Sequence, residues 1–222
     1  MTKVGIIGGS GFAGEELIKF LSLHDSSSII AISSRELKNT PVSDLFQCTD
    51  LNFVDPEDQI FFQCDVVFFA TPHGIAMNKA YSFIQKGIKV IDLSADFRLK
   101  DPSIWREWYG SDHKDLENLK NSIYGLTELN AELIETGNLI AVPGCYPTAS
   151  ILGLLPLVCN KLPIDSIIID AKSGISGAGR TKVNENLKDD IQENFRAYAT
   201  GGHRHLPEII EVLEGIYGSS LK

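Results

Sequence analysis

Basic residues are scarce in this sequence: 20 Lys and Arg stand against 29 Asp and Glu, for a net charge of −9 over 222 residues. With no basic run there is no electrostatic footprint for phosphate backbones, which speaks against nucleic acid as a partner. Cysteine is sparse too. Cys48, Cys64, Cys145 and Cys159 contain no C-x-x-C pair, so neither a zinc knuckle nor a thioredoxin-type redox pair is indicated. The longest apolar stretch, 151–159, falls far short of the ~20 residues that cross a bilayer, and it carries Pro156. No secretory signal opens the chain, because Met1-Thr2-Lys3 leads straight into a strand-like run. The expectation is a reduced, cytoplasmic protein without membrane contact. Gly (19) and Pro (9) are at ordinary levels, and no repeat or low-complexity tract breaks the pattern. A chain of this length buries enough surface for one to two domains without staples.

Apolar runs alternate with helical periodicity. Lys3–Ile7, Ile29–Ile32, Cys64–Ala70, Val90–Leu93, Asn138–Val142 and Ile164–Ala171 are strand-like. Between them, Glu15–Leu23 places Leu17, Ile18, Phe20, Leu21 and Leu23 on a buried side, and Ala76–Lys86, Asn130–Thr136 and Thr148–Cys159 read as helices. Pro156 is expected to kink or end the last. The stretch 99–125, with Trp105, Trp108 and Tyr109 in a charged setting, takes no firm assignment. The alternation predicts an α/β fold with a parallel sheet wrapped by helices.

Gly8-Gly-Ser-Gly-Phe-Ala-Gly14 lies between the first strand and the first helix and satisfies G-x-G-x-x-G. There glycines permit a tight turn, close approach to a pyrophosphate and close helix–strand packing, while the helix N-terminus faces the phosphates. Gly8, Gly9, Ser10, Gly11, Phe12, Ala13 and Gly14 are therefore candidate cofactor contacts in a Rossmann-like domain. Where an acidic residue would hold a ribose 2′-hydroxyl, the chain offers Ser33-Ser34-Arg35. Hydroxyls and a guanidinium suit a 2′-phosphate, so NADP is expected over NAD. Thr71-Pro72-His73, just after a strand end, borders the same site.

Cys145 lies in Val142-Pro-Gly-Cys-Tyr-Pro-Thr148. Pro147 suits a first helical position, which sets the sulfur beside a helix N-terminus that stabilises thiolate. Cys159 reads as core. A thiolate needs an acid or base, and His203 and His205 in Gly202-His-Arg-His-Leu-Pro-Glu208 would share one side of an extended stretch. The rival reading of His203, His205 and Glu208 as metal ligands lacks any supporting cluster, and no metal is expected. Gly174-Ile-Ser-Gly-Ala-Gly179-Arg180-Thr181 nearly spells a nucleotide-binding P-loop, but arginine stands where a compact ammonium is needed. The loop instead offers backbone N–H groups, at Ser176 and Gly177, and Arg180 to the cofactor or a phosphorylated ligand.

Taken in order, Val4–Gly14, Ala70–Gly74, Asp92–Arg98, Gly144–Thr148, Ser173–Arg180 and His203–Glu208 resemble N-acetyl-gamma-glutamyl-phosphate reductase, of the semialdehyde dehydrogenase family. The resemblance implies NADPH-dependent reduction of N-acetyl-L-glutamyl 5-phosphate to the 5-semialdehyde in arginine biosynthesis, through a thioester on Cys145. It implies one histidine of the His203/His205 pair as the acid/base, with His203 preferred, and Ser94, Arg98, Tyr198, His205 and Glu208 as substrate contacts. It also implies a Rossmann-like domain over 1–147 and the first part of an α+β substrate and dimerisation domain over 148–222, in a homo-oligomer. Two departures stand out. Thr127 replaces the family's proline in Tyr124-Gly-Leu-Thr-Glu128, and family members are considerably longer, so an incomplete chain that does not secure the whole reaction alone is expected. Related reductases of the lysine pathway, aspartate-semialdehyde dehydrogenase and a non-catalytic NADP-binding protein are the competing readings.

Overall fold

The computed structural model describes residues 1–47, 49–181, 183, 194–195 and 197–221, so Cys48 lies outside the described residues. The chain forms two compact units. Unit 1 comprises Met1–Phe97 and Lys114–Val142, and unit 2 comprises Arg98–His113 and Pro143–Lys222.

Unit 1 is built on a seven-stranded sheet: β1 (Thr2–Ile7), β2 (Ser27–Ser33), β3 (Phe53–Val54), β4 (Val66–Phe69), β5 (Lys89–Asp92), β6 (Ile123–Tyr124) and β7 (Leu139–Ala141). Every pairing is parallel and the order is β3-β2-β1-β4-β5-β7-β6. Val4, Ile6 and Ile7 are all buried, the unbroken apolar run of a strand covered on both faces. The strand order reverses between β1 and β4. The carboxyl ends of those two strands flank the switch point, where open α/β sheets bind ligands.

Helix α1 (Phe12–Ser22) turns Leu17, Ile18 and Leu21 to the cluster of Val4, Ile6, Ile32, Val42 and Phe53. Phe20 (72% exposed) and Leu23 (83%) do not join them. Phe20 stands about 200° round the helix from Ile18, and Leu23 is already the C-cap. The helix expected over 76–86 is a 3₁₀ turn, Ala76–Asn78, followed by the short α2 (Ala80–Ile84), with Gly87 at φ +75°. The unassigned stretch 99–125 folds as α3 (Pro102–Tyr109), which belongs to unit 2, then α4 (Leu116–Asn121) and β6. Asp101 and Asp115 cap these two helices by accepting N–H bonds from Ser103 and Asn118. Helix α5 (Thr127–Thr136) begins ahead of the expected Asn130, which is non-helical because its side-chain amide donates to the Tyr124 carbonyl at 2.8 Å. Thr127 is the first residue of α5, a position where proline is readily accommodated.

Unit 2 contains α3, α6 (Cys145–Cys159) and α7 (Leu206–Tyr217), with α6 packed on α7. Helix α6 starts three residues before the expected Thr148 and runs on through Pro156, burying Pro147, Ile151 and Val158. Pro147 is its third residue rather than its first; its missing N–H is still harmless there, within the first turn. Cys159, expected in the core, is exposed at the helix end. The expected strand 164–171 does not form, and Ile168 is 91% exposed. An apolar run of this kind specifies a strand only when a neighbour pairs its backbone, and unit 2 has no strand among the described residues.

Candidate active site

In unit 1 the glycine loop follows β1. Gly8 has φ +89°, and a Cβ there would stand 2.7 Å from the Ala70 carbonyl and 2.9 Å from Thr71 Cγ2. The loop after β1 and the Thr71-Pro72-His73 loop after β4 therefore touch, and the sequence candidates from both are brought to the switch point. A Cβ on Gly14 would collide with the Gly9 backbone at 2.6 Å, whereas at Gly11 the protein offers nothing within 4 Å. The open position is the N-cap of α1, which has no side-chain cap, so the helix start is left facing free space. Thr71, whose Cγ2 crowds Gly8, carries an Oγ1 that is buried and without a hydrogen-bond partner among the described residues. Those features fit the pyrophosphate of a dinucleotide.

The three candidates for the ribose end differ. Ser33 is fully buried, with its Oγ accepting from the Gly8 N–H at 3.2 Å and its carbonyl accepting from Gly9. Its hydroxyl holds the loop from beneath. Ser34 is also buried, bonded to the Ser10 hydroxyl at 3.1 Å and to the Leu37 N–H, while Arg35 is exposed. Nothing in the sequence marks Asp96 out from the rest of Asp92–Arg98. Fully buried, it accepts from the Gly74 N–H at 2.6 Å and the Met77 N–H at 2.9 Å, tying the 71–77 loop to the turn after β5. Ser94 belongs to the same turn: its Oγ donates to Asp92 and accepts from the Asp96 N–H, and it is buried.

In unit 2 Cys145 is exposed and is the first residue of α6, with Gly144 as N-cap. The next residue, Tyr146, meets Tyr198 hydroxyl to hydroxyl at 2.6 Å. The Tyr146 ring stands edge-on to those of His203 (5.1 Å) and His205 (5.8 Å), and the two imidazoles are 4.7 Å apart. Tyr198 is pushed up to about 12 by desolvation, the bond to Tyr146 and the charge of Cys145. Burial lowers His203, with Arg204 adding to it, and takes His205 down to about 4, with Arg98, His203 and Arg204 adding to it. Both imidazoles are neutral at pH near 7. They converge through a turn, because His205 has helical φ and ψ as the N-cap of α7, where an extended alternation is expected from the sequence. The His205 N–H donates to His203 Nδ1 at 3.1 Å. In neutral His203 the proton is thereby assigned to Nε2.

Arg98 and Glu208, 110 residues apart in sequence, form a buried pair with Nη1 to Oε2 at 3.5 Å. Glu208 is 2% exposed and Arg98 8%. The other oxygen, Oε1, accepts from the Gly144 N–H at 2.9 Å. Glu208 thus turns inward onto its own chain, whereas a direct substrate contact is the expectation from the sequence. The aromatic residues of α3, which take no assignment from the sequence, pack in unit 2. Trp105 is buried and stacks on Tyr109 (4.0 Å), Arg204 lies over the Tyr109 ring, and Trp108 sits against Gly202. That helix supports the segment that carries the two histidines. Ser176 and Gly177 lie in an exposed 3₁₀ turn, Ile175–Ala178. Among the described residues, no group of three or more His, Cys, Asp or Glu is gathered as a metal site, and no helix is long and apolar enough to cross a membrane.

Residues 3–137 match the family model described as semialdehyde dehydrogenase, NAD binding domain, and residues 145–222 match the semialdehyde dehydrogenase, dimerisation domain. The chain belongs to the semialdehyde dehydrogenase family. Among curated relatives in that family, N-acetyl-gamma-glutamyl-phosphate reductase of Aromatoleum aromaticum is 45% identical, over 100% of this chain and 66% of its own length. The same-named protein of Ruthia magnifica is 48% identical, over 97% of this chain and 65% of its own length. The chain therefore spans about two thirds of the length of these curated relatives. Aspartate semialdehyde dehydrogenase II of Vibrio cholerae has the same semialdehyde dehydrogenase fold, with a TM-score of 0.70 at 15% identity, over 99% of this chain and 67% of that one. The Francisella tularensis aspartate semialdehyde dehydrogenase gives 0.61 at 18% identity, over 98% and 55%.

Proposed function

We propose that this chain serves the NADPH-dependent reduction of N-acetyl-L-glutamyl 5-phosphate to N-acetyl-L-glutamate 5-semialdehyde, in arginine biosynthesis. The observation that carries the reading is the exposed Cys145 at the start of α6, with two imidazoles and the Tyr198 hydroxyl clustered on the next residue, Tyr146. The names of relatives 45–48% identical to it support the choice of acyl phosphate. Cys145 begins α6, so its sulfur stands at the N-terminal N–H groups of that helix. Cys145 attacks the acyl carbonyl, a C–S bond forms, the bond to the phosphate oxygen breaks and phosphate departs, leaving a thioester. His203 presents its Nε2–H as a donor to the oxyanion that develops on the carbonyl oxygen. Arg98, the Tyr198 hydroxyl and His205 hold the substrate, with Ser94 as a further contact.

The glycine loop, Thr71-Pro72-His73, Ser176 and Gly177 bind the dinucleotide, and Ser34 and Arg35 favour a 2′-phosphate and hence NADP. The reduced nicotinamide, when bound, supplies hydride. Residues 1–147 are the cofactor part and 148–222 the substrate part. The match of 145–222 to a dimerisation domain supports a homo-oligomer, and a soluble biosynthetic step of this kind suits the cytoplasm. The test is the reverse reaction: N-acetyl-glutamate 5-semialdehyde, phosphate and NADP⁺, with NADPH formation followed by absorbance and aspartate semialdehyde as the competing substrate. In a chain completed to the length of the curated relatives, turnover of N-acetyl-glutamate 5-semialdehyde and none of aspartate semialdehyde is expected, and it should vanish in Cys145→Ser. Preference for aspartate semialdehyde, or full activity in that variant, would refute the reading.

A further inference from the structure

We propose that Glu208 is a positioning residue for the Cys145 thiol, holding the N–H of Gly144, the residue that begins the helix on which the thiol sits. In a capping box the third helical residue turns its carboxylate back to the N-cap N–H of its own helix. Glu208 is the third residue of α7, but the N-cap N–H of that helix, from His205, is already given to His203 Nδ1. Its carboxylate reaches instead to the N-cap of α6, accepting the Gly144 N–H at 2.9 Å. It thereby lies at the N-terminal turns of two helices, where both dipoles favour a negative charge. Arg98 at 3.5 Å balances that charge in a buried setting.

Gly144 has no side chain of its own with which to cap α6. Nor could it carry one, since a Cβ would stand 2.7 Å from His205 Nε2 and 2.9 Å from Arg98 Nη1. The entry of the chain into α6 is therefore pinned through the backbone N–H. One peptide bond further on is Cys145, so the reach of the Glu208 side chain sets where the sulfur meets the helix end. Neither the proposed substrate nor the cofactor is needed for this role, so it stands or falls separately from the proposed reaction.

Side-chain length and charge make opposite demands, which allows a clean test on the 222-residue chain. Glu208→Asp keeps the charge beside Arg98 and loses the reach to Gly144. Glu208→Gln keeps the reach and loses the charge. The readout is the iodoacetamide alkylation rate of Cys145, resolved from the other cysteines by peptide mass spectrometry, with circular dichroism reporting the fold. Glu208→Gln is expected to retain the parental rate, while Glu208→Asp loses about two- to fivefold, the scale of a helix-end charge effect. Where an unbalanced Arg98 unfolds the Gln variant, the comparison is repeated with Arg98→Met, setting Glu208→Gln against Glu208→Asn in an uncharged background. A shorter side chain that reacts as fast as the longer one, or a Gln variant that slows as far as Asp while folded, overturns the proposal.

Discussion

Replacing Gly144 by alanine tests how tightly the thiol-bearing helix is seated. The backbone there has φ −65° and ψ 160°, which alanine adopts freely, so the whole effect comes from space. The added methyl would meet His205 Nε2 at 2.7 Å and Arg98 Nη1 at 2.9 Å, several tenths of an ångström inside ordinary contact. Neither neighbour can swing away cheaply. Arg98 is 8% exposed and paired with Glu208, which itself holds Gly144, so a shift of one moves the others. Overpacking of this kind costs about 1–3 kcal/mol. For a chain of this size that lowers the melting temperature by about 2–12 °C. Gly153, on the same helix, has nothing within 4 Å of its notional Cβ. Gly153→Ala should therefore stabilise by about 0.5–1 kcal/mol, the helix-interior preference for alanine. The pair is compared by urea denaturation and by the alkylation rate of Cys145, which should fall only in Gly144→Ala. Equal stability of the two variants, with unchanged thiol reactivity, would refute the reasoning.

Asp96→Asn swaps one of two accepting oxygens for a donor, so either the Gly74 or the Met77 N–H loses its partner. A loss of about 1–3 kcal/mol in urea denaturation, with weakened NADP⁺ binding, is expected; an unchanged midpoint would show that the loop is held by other contacts. Arg35→Ala should raise the Kd for NADP⁺ about tenfold and leave that for NAD⁺ alone, as loss of a guanidinium–phosphate contact requires; equal weakening of both would remove Arg35 from the 2′-phosphate site. The stability of unit 2 should also depend on pH. His205, lowered from 6.5 to about 4 by burial, Arg98, His203 and Arg204, binds its proton more weakly folded than unfolded. The neutral imidazole thus contributes fully above about 6.5, and the contribution is lost as pH falls toward 4. The urea midpoint should drop over that range and drop less in His205→Asn, whereas a profile unchanged by the substitution would place the titration elsewhere.

What the residues disclose by themselves is unevenly spread. The Gly8–Gly14 loop is legible because its signal is local: a strand, a glycine turn and a helix follow one another. Cys145 at a helix start is legible for the same reason. Ser33 shows where such reading stops. It stands where a 2′-phosphate would be met, yet its hydroxyl turns back to Gly8, a choice made by the register of β2 beside β1. The strand expected over 164–171 fails on the same ground, since pairing needs a neighbour that periodicity does not name. The α3 aromatics were unreadable because their charged setting hid a helix whose buried side is Trp105.

Thus the alternation of strands and helices in unit 1, the glycine turn after the first strand and the helix start beside Cys145 follow from the sequence alone, since turn chemistry, hydrophobic period and helix ends act over a few residues. The partners of the buried groups do not. Glu208 finds Gly144 across 64 residues and Arg98 across 110. Asp96 finds the N–H groups of Gly74 and Met77. A buried carboxylate takes whichever donors the packed chain brings to it, and only the tertiary structure decides which those are.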